Sequence, residues 1–170
     1  MAQSTSSQSK PKGIALETRA GHPIENHQDP QLSAFVQRAM RDFRSNYPMI
    51  RDIRNEPSGY YNCHGLTFAS RRTNIEEPKE VWKILSEDGY KEIYPSNKFL
   101  PLADAEPGDV LVYFKDSVID HTAIVVQKGE APLYMPRVLA KVSSGPEVVC
   151  AANACPQYNL NGAKIFRVLE

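Results

Sequence analysis

Apolar positions change period part-way along the chain. Leu32, Phe35, Val36, Ala39, Met40 and Phe43 recur at helical spacing. This predicts a one-faced amphipathic helix beginning near Asp29-Pro30, where Asp29 can cap and Pro30 suits the first helical position, and ending near Tyr47-Pro48. A turn-rich link, Asn55-Glu56-Pro57-Ser58-Gly59, leads to a short helix from Cys63 with Asn62 as its N-cap. A further helix is expected over residues 79–88, after Pro78. Val81, Trp82 and Leu85 point inward and Gly89 stops it.

Short apolar runs with period two then take over. Residues 110–114 and 121–127 read as strands, antiparallel neighbours across the polar stretch 115–120, and residues 105–109 form a turn. Residues 137–143 and 163–169 supply two more strands. The intervening 144–162 holds Gly145-Pro146, Pro156 and Asn161-Gly162 and reads mostly as loop. Helices first and strands second predict an α+β fold, with N-terminal helices packed on an antiparallel β-sheet. Residues 1–28 are polar, with breakers at Pro11, Gly13, Gly21 and Pro23, and read as a flexible tail. That leaves 29–170 as one domain.

Composition narrows the function. The chain of 170 residues suits a single domain, and its size lets a core form without disulfides or metal. Twenty basic and twenty acidic residues give no net charge, which argues against a protein that coats nucleic acid. No apolar stretch approaches the roughly 20 residues of a spanning helix, so no membrane partner is expected. The N-terminus lacks an apolar signal-peptide core. The default expectation is the cytoplasm, with delivery as a secreted effector left open. Three cysteines make a poor disulfide framework, and Cys150 and Cys155 have neither zinc-finger spacing nor a nearby histidine. No metal or other cofactor is expected.

Candidate chemistry begins at Cys63. A cysteine opening a helix sits at the positive end of the dipole among unbonded N–H groups, which favours the nucleophilic thiolate and supplies an oxyanion donor. The competing reading is a buried small hydrophobe. His121 opens a strand and can serve as the base. His64, next to Cys63 on a helix, would point about 100° away from the thiol. His22 and His27 fall in the expected tail and would be solvated. Arg71-Arg72 is too short to argue for nucleic acid.

Three segments carry a resemblance: Tyr61-Asn62-Cys63-His64-Gly65-Leu66, Pro107-Gly108-Asp109-Val110-Leu111-Val112-Tyr113, and Asp120-His121-Thr122-Ala123-Ile124-Val125. Their order and the 58 residues from Cys63 to His121 resemble the papain-like NlpC and CHAP cysteine peptidases and amidases, over most of the chain from Tyr60. The resemblance implies a papain-like fold, a peptide or amide substrate, and a thioester intermediate on Cys63. Peptidoglycan peptides would be the first substrate guess. It also implies a third residue that orients His121 from the following strand. Ser143 is the best-placed polar candidate there, with Asn153 reaching in only if its loop folds back. Cys150 stands where a related subgroup carries a histidine. Tyr61 would assist at the oxyanion site, or simply pack beside the helix start. Acyl transfer, deamidation and a non-catalytic binding domain remain alternatives on the same fold.

Overall fold

The computed structural model describes residues 13–29, 34–156 and 162–169, apart from the side chains of Phe35, Val36, Ala39 and Met40. Among the described residues, three α-helices, α1 (Ala34–Asn46), α2 (Cys63–Phe68) and α3 (Pro78–Glu87), accompany seven strands. The strands are β1 (Asp52–Asn55), β2 (Tyr90–Ile93), β3 (Val110–Lys115), β4 (Val118–Gln127), β5 (Arg137–Lys141), β6 (Glu147–Ala151) and β7 (Lys164–Val168). They form one sheet in the order β1-β6-β5-β4-β3-β7-β2, with every pairing antiparallel. The fold is therefore α+β, as the change of period implies. Among the described residues, no helix is long and apolar enough to cross a membrane.

Strand alternation gives the sheet two buried faces. Leu111, Tyr113, Ala123, Val125, Val138 and Ala140 meet Phe43 of α1, Leu102 and Ala105 on one face. Val110, Val112 and Phe166 meet Val81, Ile84 and Leu85 of α3 on the other. Trp82, expected to point inward, is 42% exposed; Ile84 takes the inward place, and the indole lies over the rim beside Phe114 and Phe166. Gly89 follows α3 at φ 83°, a conformation that favours glycine. Asp116 and Ser117 both have positive φ, a primed turn whose twist joins β3 to β4, so β4 starts three residues before His121.

Two expectations change. Residues 13–29 are not a loose tail. Ile24 is buried in the α3-facing core, and Thr18 Oγ1 donates to Glu87 Oε2. The Arg19 amide donates to Asp88 Oδ1 at 2.8 Å, and His27 and Asn74 exchange main-chain bonds of 3.1 and 2.7 Å. His22 lies 2.9 Å from Glu87 rather than in water alone. Apolar residues in this segment are sparse, so polar bonds to α3 hold much of it and no periodicity betrays it. Residues 1–12 lie outside the described residues, as do residues 30–33 of the expected α1 start.

The second change is β6, within the stretch expected to be loop. Glu147, Val148, Val149 and Cys150 are all buried, and β6 pairs with both β5 and β1. A strand buried on both faces shows a continuous run rather than alternation, and the flanking Gly145-Pro146 concealed this one.

Candidate active site

The site starts from the anchoring of α2. Asn62 caps it: Oδ1 accepts from the Gly65 amide at 2.9 Å and the Ile75 amide at 3.2 Å, while Nδ2 donates to the Ile75 carbonyl at 2.8 Å. One side chain thus starts the helix and ties it to residue 75. A Cβ at Gly65 would come within 1.7 Å of the Thr73 carbonyl oxygen, so only glycine permits this approach.

A chain of polar groups then docks α2 on β4. Thr67 Oγ1 donates to the Cys63 carbonyl at 2.9 Å and lies 3.0 Å from Thr122 Oγ1, which lies 2.9 Å from His64 Nδ1. Each hydroxyl has one proton. With the Thr67 proton on the carbonyl, Thr122 donates to Thr67 and accepts from His64, which fixes the Nδ1–H tautomer. Burial pushes the His64 pKa down to about 4, in keeping with a neutral ring.

The Cys63 sulfur is buried at the start of α2. Burial pushes its pKa up to about 11, outweighing the main-chain amides of Thr122, His64 and Cys63, which pull it down. The β4–β5 ladder stops at Ile124↔Leu139, so Thr122 lies beyond the paired stretch. In this closed arrangement the thiol carries its proton at neutral pH.

His121 is fully buried on β4, directly opposite Tyr113 of β3, with ring centroids 5.4 Å apart. Its Nε2 lies 3.7 Å from Cys155 Sγ. Among the described residues, no hydrogen bond joins His121 to Cys63, the thiol it was expected to serve as base. The physical reason is strand parity: Thr122 directs its side chain to α2, and His121 directs its ring to the face that holds Tyr113 and Cys155. Cys63 and His121 are neighbours through the Thr122 main chain rather than bonded partners. Burial, and then the proximity of His64, hold the His121 pKa well below its ordinary value.

The helper residues also differ. Ser143 is exposed in the β5–β6 turn at φ 53°, because β5 ends at Lys141 and the chain is already reversing. It is not placed to orient the buried His121. Asn153 is exposed on the short 3-10 helix Ala152–Ala154. Tyr61 is buried, but its hydroxyl donates to Glu147 Oε1 at 2.5 Å and is not directed to an oxyanion. Burial, with Glu147 second, pushes its pKa up to about 12.

Sequence reasoning missed a buried ionic cluster beside this site. Lys141 and Glu147 are cross-strand partners, each fully buried. Arg71 grips Glu147 with Nε at 2.7 Å and Nη2 at 3.1 Å. Lys141 Nζ donates to the Gly145 carbonyl and lies 4.6 Å from the Tyr61 ring centroid. Burial lowers the Lys141 pKa to about 8, with Glu147 opposing. A cleft of about 360 Å³ opens beside the cluster, lined by Arg54, Asn55, Arg71, Leu139, Glu147 and Val149. Reading β6 as a strand would have set Lys141 against Glu147 and revealed the pair. No group of three metal-ligating side chains occurs among the described residues.

Comparison of the chain with protein-family models, with curated proteins and with solved structures found no match.

Proposed function

We propose that this protein is a papain-like cysteine amidohydrolase or peptidase with Cys63 as nucleophile and His121 as base. The observation that carries the reading is the Cys63 sulfur at a helix start, beside the main chain of Thr122, which is one residue from His121 along β4. The closed form is a resting state. When a substrate carbonyl opens the seam between α2 and β4, water and substrate relieve the burial that raises the thiol pKa, while the amides remain. Strand parity holds the His121 ring on the other side of β4, so β4 must twist locally at Thr122 before Nε2 takes the thiol proton. Sulfur attacks the carbonyl carbon, and the oxygen gathers charge opposite the amides. Collapse expels the amine, which leaves with the proton from His121, and water then hydrolyses the thioester. A different acceptor at that last step gives acyl transfer, and a primary amide as substrate gives deamidation. Peptide amides, those of peptidoglycan included, are the substrate class, whether the protein works in the cytoplasm or as a delivered effector.

A non-catalytic binding domain is the second reading. The His121–Cys155 contact and the exposed Ser143 favour it, since neither supports a working triad. Hydrolysis of a peptide-anilide panel separates the two. The enzyme reading expects turnover that Cys63→Ala abolishes and that His121→Ala lowers by about 100-fold or more in kcat. Absence of turnover across the panel from the folded wild type favours the binding domain, and turnover unchanged in Cys63→Ala contradicts Cys63 as the nucleophile.

A further inference from the structure

The sheet face that receives α2 is only partly covered. Residues opposite one another in antiparallel strands share a face. Thr122, which docks α2, therefore shares its side of β4 with Ile124; Ile124 is opposite Leu139, and Leu139 is opposite Val149. Lys141 and Glu147 continue the same face one pair further on. After α2 the chain passes through Ser70 and Arg71, two non-glycine residues in the left-handed region at φ 49° and 65°. That turn carries the Arg71 guanidinium to Glu147. The cleft of about 360 Å³ lies on this face beside Arg71. Its floor is aliphatic, made by Val126, Leu139 and Val149. Val126 and Arg54 each stand where the strand register shifts, at bulges that re-aim side chains.

The charges around this floor do not balance. Glu147 engages two of the five N–H groups of Arg71, at 2.7 and 3.1 Å. Asp52 is shared by two arginines: it lies 2.8 and 3.0 Å from Arg54 Nε and Nη2, and 3.6 Å from Arg137 Nη2. With Lys141 opposite Glu147, four cations meet two carboxylates among these residues. Arg54 and Arg71 both line the opening with half-exposed side chains. An anion complements this set, and the planar guanidinium fork suits a carboxylate. A singly charged head is favoured, because Glu147 and Asp52 repel a second negative charge. The aliphatic floor calls for an apolar body, and a volume at the low end for small-molecule sites keeps that body short. We propose that this cleft is a binding site for a small carboxylate with a branched aliphatic body. Arg54 and Arg71 hold the head, and Val126, Leu139 and Val149 hold the body. The described lining does not include Cys63, so the site stands whether or not Cys63 is a nucleophile.

The isotope-labelled full chain is titrated, with nuclear magnetic resonance as the readout, with isocaproate, with its neutral analogue isocaproamide and with inorganic phosphate. The proposal expects isocaproate to give saturable shifts at Arg54, Arg71 and Leu139 with a Kd of about 5 mM or tighter. Nuclear Overhauser contacts should join its methyls to those of Leu139 and Val149. Isocaproamide binds at least about tenfold more weakly, and so does isocaproate to Arg54→Gln. Val126→Trp, at a position 42% exposed, fills the cleft and removes the methyl contacts while the melting temperature stays within a few degrees. The wild-type titrations need no variant to fold. No saturable shift, equal affinity for acid and amide, phosphate bound as tightly as isocaproate, or methyl contacts that survive in Val126→Trp overturns the proposal.

Discussion

His64 shows how one residue can stabilise the site and make it sensitive to acid. Its tautomer is fixed by the threonine relay, and burial holds its folded pKa near 4 against an ordinary 6.5. The unfolded chain therefore binds the extra proton between these values. The stabilising contribution is fully present above pH 6.5 and is lost as pH falls through 4, a difference of roughly 3 kcal/mol. His121, also depressed, acts with the same sign. Urea unfolding should show stability falling from pH 7 to pH 4.5, with a shallower fall in His64→Gln; parallel curves would contradict the assignment. At this scale the sequence was half legible. The helix-start position of Cys63 and the capping by Asn62 follow from residue type and order. The direction of the His121 ring follows from strand parity set by neighbouring strands, and the sequence does not display it. Ser143 failed as a helper for a related reason: β5 ends two residues before it.

Among the elements, α2 matters most and is the shortest α-helix among the described residues. Six residues cannot hold a helix by backbone bonding alone, so its position rests on Asn62, the Thr67–Thr122 contact and the close approach at Gly65. Gly65→Ala should cost more than about 3 kcal/mol, because the obstructing atom is a main-chain carbonyl that cannot rotate away. Chemical denaturation measures this, and a loss below about 1 kcal/mol would show that α2 can shift on the sheet. β3, β4, β5 and β7 were legible because their apolar runs are bounded by turns. The edge strands β1 and β2 are four residues each, too short for a period to stand out. β6 was hidden by its own burial, and with it the Lys141–Glu147 pair.

At the scale of the whole molecule, the segment 13–29 straps α3 and the loop before it. Removing residues 1–29 loses the burial of Ile24 and the bonds to Glu87, Asp88 and Asn74, together about 3 kcal/mol or more. The melting temperature should fall by about 10 °C, and an unchanged value would contradict the packing described. The α+β class was legible from the order of helical and alternating patterns. The strap was not, because a segment held largely by polar bonds looks like solvated chain in the sequence. The proposed function makes one central claim, that Cys63 carries an acyl group during turnover. The most direct test is to mix the protein with an activated acyl ester such as p-nitrophenyl acetate, quench in acid and map the acetylated peptide by mass. The account predicts a hydroxylamine-labile acetyl group on Cys63, absent in Cys63→Ala and forming at least about tenfold more slowly in His121→Ala. An acetyl thioester on Cys155 instead, or none on any cysteine, would contradict it.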